Sequence, residues 1–312
     1  MAGQTISFLQ RRLAEAGVRI NKRHGQNFLI DLNLVNMLVD AADLGPDDVV
    51  LEVGTGMGGL TMLMAPRVAA VVTVEIDPRM HQLASEELID LPNVVLLQAD
   101  ALKGKNHLNP LLMDAVREQL AAGPGRRFKL AANLPYNIAT PLISNLLDLD
   151  DPPVAMTVTI QKEVADRLVA VQGTKDYGPL SIWVQSQYRA EIVRVMQPSV
   201  FWPPPKVESA IVQIVLEPER RQIIPDRRFF HDFVRAMFMH RRKFLRSVLI
   251  LAVKDRLEKP DVDRILAEQQ VDPHARAEQL PPERMLSLCE AVRKEVENGR
   301  RGAEEKGSHG GQ

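Results

Sequence analysis

Three glycines, Gly54, Gly56 and Gly58, form a loop between a short apolar run at 49–53 and a segment with helical spacing. Glycine has no Cβ, so the backbone of such a loop can lie close to a ligand. Tight turns without a ligand use the same residue type, and the loop alone therefore decides little. The function of the loop is inferred from the polar residues that follow the neighbouring apolar runs.

Two carboxylates stand at the ends of the next two apolar runs. Glu75 follows the run at 71–74, where a carboxylate accepts hydrogen bonds from both hydroxyls of a ribose. Asp100 follows the run at 94–98 and is placed to accept a hydrogen bond from the amino group of an adenine ring. The loop and the two acids predict one pocket for an adenosine ligand, either NAD or S-adenosylmethionine.

The tetrapeptide Asn133-Leu134-Pro135-Tyr136 follows the apolar run at 129–132 and favours the second ligand. The Asn133 side-chain carbonyl and the Leu134 backbone carbonyl can both accept hydrogen bonds from an incoming amine and orient its lone pair. Pro135 stiffens the turn, and Tyr136 offers an aromatic face to a base. Because a sulfonium is a good leaving group, positioning and charge stabilisation are enough for methyl transfer to such an amine.

An alternation of strands and helices must position these residues. Strands are predicted at 49–53, 71–74, 94–98, 129–132, 156–160 and 210–216, and helices at 60–65, 80–88, 141–147 and 163–169. This order predicts an α/β fold with a doubly wound, largely parallel sheet and right-handed crossovers. Its ligand site should lie at the carboxyl ends of the strands. The segment 103–127 joins the third and fourth strands, with a helical pattern at 111–120.

Composition shifts to charged, helical sequence after residue 225. The predicted domains are a flexible basic segment at 1–20, a methyltransferase domain at 21–217, a smaller helical RNA-contacting domain at 218–297 and a disordered tail at 298–312. The tail contains almost nothing to bury.

The overall composition restricts the class of protein. The chain has 312 residues and a formal net charge of −1, so nucleic-acid binding requires a local basic patch. The single cysteine excludes an intrachain disulfide, and no CxxC pair or His-rich tract indicates a metal. No apolar run approaches the roughly 20 residues of a membrane span, and the N-terminus is too polar for a signal peptide. We therefore expect a cytoplasmic protein with no bound metal and no membrane contact.

Sequence blocks from residue 21 to about residue 290 resemble those of the small-subunit ribosomal RNA adenine dimethyltransferase family, in the same order. The blocks are 21–29, 51–61, 74–77, 100–102, 133–138, 161–165, 177–181, 201–209 and 240–245. The resemblance implies a Rossmann-like methyltransferase sheet that uses S-adenosylmethionine. It also implies methylation of two adjacent adenines in a hairpin loop near the 3′ end of small-subunit ribosomal RNA. The expected partner is the immature small ribosomal subunit, and the expected oligomeric state is a monomer.

The resemblance assigns further residues to the site. It implies that Asn27 and Leu29 close over the cofactor beside Gly54, Glu75, Asp100 and Asn133. It implies that Tyr136 and Phe201 hold the flipped adenine, since the amine must leave its stacked position to react. For Phe201, a place in the core beside Trp202 is an equal alternative.

Two basic clusters are candidates for contact with phosphates. The predicted RNA-binding residues of the first are Arg221, Arg228, Arg241, Arg242, Lys243 and Arg246. The second cluster consists of Arg11, Arg12, Arg19, Lys22 and Arg23. Such charges also occur on solvated helix faces, but their number beside an adenine pocket favours RNA.

Three other functions stay open. A sister family methylates one adenine of large-subunit RNA and shares the Asn-Leu-Pro-Tyr type of site, although the blocks at 201–209 and 241–245 favour the small-subunit enzyme. A non-catalytic nucleic-acid-binding assembly factor on the same fold is a second alternative, which the intact segment 133–136 disfavours. A nicotinamide dehydrogenase is a third, but His24, His81 and His107 form no recognisable catalytic set. The segment 103–127 is longer than the family pattern and leaves the RNA contacts near it undefined.

Overall fold

The computed structural model describes residues 6–15, 17, 27–104 and 107–308, with side chains described over 10–15, 17, 27–104 and 107–298. The chain divides into two compact units. The first contains Met1–Asp166 and Arg189–Leu216, and the second contains Arg167–Tyr188 and Glu217–Gln312.

The first unit is built on a seven-stranded sheet. The strands of the chain are β1 (Phe28–Leu29), β2 (Asp48–Val53), β3 (Ala70–Glu75), β4 (Val94–Gln98), β5 (Arg127–Asn133), β6 (Ala155–Gln161), β7 (Tyr188–Met196), β8 (Phe201–Trp202) and β9 (Ser209–Leu216). The sheet order is β4-β3-β2-β5-β6-β9-β7, and β1 pairs with β8 in a separate antiparallel ribbon. Strands β2 to β6 are parallel, and β9 runs antiparallel to β6. The predicted doubly wound α/β fold is confirmed.

Helices connect the strands of the first unit. They are α1 (Ile6–Glu15), α2 (Leu32–Ala41), α3 (Gly59–Met64), α4 (Pro78–Glu87), α5 (Pro110–Ala121) and α6 (Ala139–Asp148), followed by α7 (Lys162–Val169), which spans the division between the units. Side chains fix several helix starts: Asp31, Asp77 and Asn109 accept hydrogen bonds from backbone N–H groups of α2, α4 and α5. Proline follows the cap of both α4 and α5, where its missing N–H costs nothing.

The burial of each strand reflects its position in the sheet. Every residue of β2 and β3 is buried, as expected of parallel strands covered on both faces. Strand β7 was not predicted, because its polar residues Arg189, Glu191 and Arg194 are exposed at the edge of the sheet. An edge strand lacks the continuous apolar run by which the inner strands are recognised.

The second unit is helical. Its helices are α8 (Pro179–Gln185), α9 (Pro218–Gln222), α10 (Arg227–Phe238), α11 (Leu245–Ala252), α12 (Lys259–Glu268) and α13 (Pro282–Ser308). Helix α10 buries Phe230, Phe233, Val234 and Met237, which recur at helical spacing along one face. No helix in the described part of the chain combines the length and apolar character needed to cross a membrane.

Both ends of the chain contain a helix within segments predicted to lack structure. Helix α1 lies in the segment predicted to be flexible, and its Leu13 packs against Met57, Met80 and Leu83. Helix α13 reaches Ser308 and so includes the start of the predicted disordered tail. The last four residues of that tail lie outside the described residues.

Candidate active site

The carboxyl ends of the parallel strands surround a cavity of about 590 Å³ in the first unit. The predicted site residues that line it are Asn27, Leu29, Gly54, Gly56, Glu75, Asp100, Asn133, Leu134 and Pro135. They come from β1, the loop after β2, the end of β3, the segment after β4, and the end of β5 with its following turn. The structure therefore brings together residues that are far apart in the sequence.

The glycine loop requires glycine for both conformational and steric reasons. Gly54 has a φ of 88°, in the left-handed region, and its N–H donates to the Val74 carbonyl at 2.9 Å. A Cβ on Gly54 would lie 3.4 Å from the Pro135 ring, and one on Gly56 would lie 3.1 Å from the Phe28 ring. The loop is thus packed between β3, the segment at Phe28 and the turn after β5. Gly58, at the start of α3, does not line the cavity.

Glu75 closes one side of the cavity at the end of β3. Its Oε2 accepts the Gly56 N–H at 2.9 Å, and its Oε1 accepts the Asp77 N–H at 3.0 Å. The side chain is only 4% exposed, and this burial raises the pKa of the carboxyl, although the two backbone donors favour its charged form. Each carboxylate oxygen has two lone pairs, so the group can still accept a hydrogen bond from a ligand.

Asp100 stands at the cavity on a loop that holds its orientation. Its Oδ1 accepts the Leu102 N–H at 2.9 Å, and the Asn109 side chain donates to its backbone carbonyl at 2.7 Å. Within the described part of the chain, its Oδ2 has no hydrogen-bond partner. The carboxylate is therefore a positioned acceptor with one oxygen available to a ligand.

Asn133, the last residue of β5, has a fixed side-chain amide. Its Nδ2 donates to the backbone carbonyl of Asn27 at 2.8 Å, which leaves Oδ1 as an acceptor without a partner in the described part of the chain. The next residue, Leu134, donates its N–H to the Thr159 carbonyl at 3.1 Å, and the Ile138 N–H donates to the Pro135 carbonyl at 3.1 Å. These bonds order the whole turn that follows the strand.

The two aromatic residues assigned to base stacking differ in position. Tyr136 follows the cavity-lining Pro135, and its half-buried hydroxyl lies 2.5 Å from the Ser209 Oγ. Burial raises the pKa of Tyr136. Phe201 is only 2% exposed and packs against Leu38, Met196 and Ile211. The structure therefore places Phe201 in the core, which is the alternative stated from the sequence, and it does not line the cavity.

Glu52 lines the cavity, and sequence analysis gave it no role. It is 1% exposed, and its Oε2 accepts the hydroxyls of Thr61 at 2.5 Å and Thr73 at 2.8 Å. Burial raises the pKa of the Glu52 carboxyl to about 8. An acidic residue within the otherwise apolar run 49–53, two positions before Gly54, was the available signal. Ile76, which is 44% exposed and also lines the cavity, was missed as well.

The predicted basic clusters separate into paired and unpaired side chains. Arg221 is 8% exposed and donates to the Gln187 side chain. Arg241 pairs with Glu278 at 2.5 Å, and Arg246 pairs with Asp263 through two bonds of 2.5 and 2.8 Å. The exposed residues without an ion pair in the described part of the chain are Arg228, Arg242 and Lys243.

The N-terminal basic cluster is largely neutralised where it is described. Arg12 contacts Glu86 at 3.1 Å and Glu87 at 3.0 Å, and Arg11 contacts Glu15 at 3.8 Å. The other members, Arg19, Lys22 and Arg23, lie outside the described residues.

Comparisons with known proteins identify related sequences and a matching family. A family model described as "Ribosomal RNA adenine dimethylase" matches residues 17–294. The chain is 38% identical to the Ribosomal RNA small subunit methyltransferase A of Bacillus cytotoxicus, over 88% of this chain and 92% of that protein. It is also 38% identical to the protein of the same name from Geobacillus kaustophilus, over 93% of this chain and 95% of that protein.

Two solved structures share the fold. A dimethyladenosine transferase from Plasmodium falciparum superposes with a TM-score of 0.71 at 24% identity, over 86% of this chain and 98% of that one. The 23S rRNA methyltransferase ErmE superposes with a TM-score of 0.60 at 25% identity, over 85% of this chain and 99% of that one.

Proposed function

Because the chain belongs to the ribosomal RNA adenine dimethylase family, we infer that it transfers methyl groups from S-adenosylmethionine to the N6 amines of adenine in small-subunit ribosomal RNA. The observation that carries this function is the Asn133 amide, whose orientation Asn27 fixes. Its Oδ1, which accepts no hydrogen bond from the described residues, stands at the cavity beside the glycine loop, where an amine acceptor is required.

The cavity fits S-adenosylmethionine, because its polar groups match those of an adenosine ligand. Glu75 would hold the ribose hydroxyls, and Oδ2 of Asp100 would accept a hydrogen bond from the adenine amino group. Asn27, Leu29 and the backbone at Gly54 and Gly56 would enclose the cofactor, with Asn133 beside it; Gly58 belongs to the same loop. When bound, S-adenosylmethionine supplies an electrophilic methyl group on a sulfonium.

The residues of the turn after β5 act on the adenine. Asn133 Oδ1 and the Leu134 carbonyl accept the hydrogens of the N6 amine and aim its lone pair at the methyl carbon. As the amine becomes positively charged, the same two oxygens stabilise it, and its proton then leaves to solvent. Pro135 holds the turn rigid, and Tyr136 supplies the face on which the flipped base stacks. Phe201 does not take part in stacking, because its ring is buried.

The second unit is proposed to contact RNA through basic side chains. Arg228, Arg242 and Lys243 are exposed and have no ion pair within the described residues, and they are proposed to contact phosphates. Arg241 and Arg246 are held by carboxylates and contribute less, and Arg221 is structural. The substrate is proposed to be the immature small subunit, at two adjacent adenines in a hairpin loop near the 3′ end of its RNA. The protein is proposed to act as a monomer in the cytoplasm.

The sister activity on large-subunit RNA is the second candidate, since the 23S rRNA methyltransferase ErmE shares the fold. The higher identity to relatives named for the small subunit, 38% against 25%, favours the first candidate. The complete Asn133 to Tyr136 turn opposes a non-catalytic assembly factor.

A transfer assay tests the proposed function directly. Purified protein is incubated with methyl-labelled S-adenosylmethionine and one of three substrates: immature small subunits, naked small-subunit RNA, or large-subunit RNA. Label on two adjacent adenines of the small-subunit RNA is expected. Label on large-subunit RNA alone would select the sister activity, and no label on any substrate would reject transfer. Stronger labelling of immature small subunits than of naked small-subunit RNA would identify the assembled particle as the substrate.

A further inference from the structure

Phe244 is an aromatic ring at the surface of the second unit, 48% exposed. It lies against His274, whose side chain is 76% exposed. The ring centroids are 5.3 Å apart, and the planes cross at 78°. An edge contact of this kind leaves ring surface open to solvent. Phe244 and His274 thus form an aromatic pair at the surface.

Hydrogen bonds already order the backbone that carries both rings. The N–H of Leu245, a buried residue, donates to the Ala275 carbonyl at 2.7 Å and so ties the two loops together. The His274 N–H donates to Asp272 Oδ1 at 2.8 Å. A ligand that stacks on the pair would therefore lose little affinity to ordering of the loops.

Two cations directly precede the aromatic pair. Arg242 and Lys243 are exposed, and neither has an ion pair within the described part of the chain. Their neighbours in sequence differ, because Arg241 is paired with Glu278 and Arg246 with Asp263. Positive charge that is available to a ligand thus directly precedes Phe244 in the sequence.

We propose that the aromatic pair stacks an unpaired base of the RNA substrate while Arg242 and Lys243 contact the phosphates next to that base. The inference rests on the proposed function only in taking RNA as the substrate. Aromatic rings combined with cations are the usual means by which proteins hold single-stranded nucleic acid. In a duplex the base faces are hidden, so the ligand is a loop, a bulge or a single-stranded end.

Binding measurements on the full chain test the stacking. Fluorescence anisotropy is measured with a labelled single-stranded oligoadenylate RNA and with a labelled RNA duplex of the same length. Phe244→Ala is expected to weaken single-strand binding about tenfold, with a smaller effect on the duplex. Phe244→Trp should bind as the wild type does, whereas Phe244→Leu should resemble Phe244→Ala, because leucine is apolar but has no ring.

The chain offers a matched control and a second readout. Leu251, on α11, is 50% exposed, so Leu251→Ala removes a similar exposed apolar side chain and should leave binding unchanged. The salt dependence separates stacking from charge. Phe244→Ala should keep the slope of log affinity against log salt, and Arg242→Gln should reduce that slope by about one.

Several outcomes overturn the proposal. Base stacking would be ruled out if Phe244→Ala or Phe244→Leu bound single-stranded RNA as tightly as the wild type. An equal loss of affinity for duplex and single strand would also rule it out. A loss confined to small-subunit particles, with RNA binding intact, would identify a protein-docking surface instead. Methyl transfer is measured on the same preparations. A wild type that binds RNA through Phe244 but transfers no methyl group refutes the proposed function and leaves the stacking standing.

Discussion

The side-chain amide of Asn133 donates to the backbone carbonyl of Asn27 at 2.8 Å, across 106 positions of the sequence. This bond joins the segment that precedes α2 to the end of β5, and both residues line the cavity beside the glycine loop. It also settles which end of the Asn133 amide faces the cavity, because the nitrogen is occupied. The oxygen is the acceptor that we propose for the substrate amine.

Replacing Asn133 by alanine should lower turnover by two to three orders of magnitude, about the loss seen when one positioned group that stabilises developing charge is removed. Cofactor affinity should weaken far less, because Glu75 and Asp100 still hold the adenosine. Single-turnover methyl transfer and calorimetric titration of S-adenosylmethionine separate the two effects. Turnover within a few-fold of the wild type would show that Asn133 does not orient the amine.

Gly54→Ala should reduce both stability and cofactor affinity. The substitution forces an L residue into a φ of 88° and places a Cβ 3.4 Å from Pro135. The backbone strain costs roughly 1 kcal/mol. Gly125→Ala is the matched control, since Gly125 has a φ of 72° and open space at the Cβ position. Thermal melts should fall for both variants, whereas S-adenosylmethionine affinity should fall only for Gly54→Ala. Equal S-adenosylmethionine affinities for the two variants would show that the glycine loop does not contact the cofactor.

Sequence patterns predicted six of the seven strands of the sheet, because buried strands are continuous apolar runs. They also predicted the place of the cavity, because the ends of parallel strands bring polar residues to one edge. They did not predict the partners that decide the role of each side chain. Nothing local marks Arg221 as buried against Gln187, or Arg246 as paired with Asp263. These pairings join residues from separate elements, so they exist only in the folded chain.

The position of Phe201 shows the same limit. An aromatic residue that precedes Trp202 and a proline-rich stretch can either stack on a base or pack in the hydrophobic core. Which of the two occurs depends on the pairing of β8 with β1 and on the cluster around Leu38. Glu52 was missed for a related reason, because its two threonine donors lie on α3 and β3. Neither threonine contact can be predicted from the glycine pattern itself.

Glu52 should make stability depend on pH. Its pKa is raised to about 8 in the folded protein, above its ordinary value, so the folded state keeps a proton that the unfolded chain has lost. The stabilisation is complete below the unfolded pKa and declines as pH rises toward 8, by up to about 1.4 kcal/mol per pH unit.

Glu52→Gln should flatten that decline, and its advantage over the wild type should grow with pH across the same window. Urea unfolding at a series of pH values measures the profile. Glu118→Gln, a change at an exposed position of α5, serves as the control and should preserve the wild-type slope. Parallel profiles for Glu52→Gln and the wild type would mean that Glu52 titrates alike in both states.

Arg221 should act on stability and not on RNA affinity. Its guanidinium is buried and bonds to the Gln187 side chain, whose Nε2 donates to the Trp183 carbonyl at 3.0 Å. Arg221→Gln removes a charged hydrogen bond and leaves a buried acceptor without its donor, which costs about 2 kcal/mol. Arg228→Gln, at an exposed site, should leave the melting temperature unchanged and reduce the salt slope of RNA binding by about one. If Arg221→Gln instead keeps the wild-type melting temperature and lowers the salt slope, Arg221 contacts phosphate and its burial is not structural.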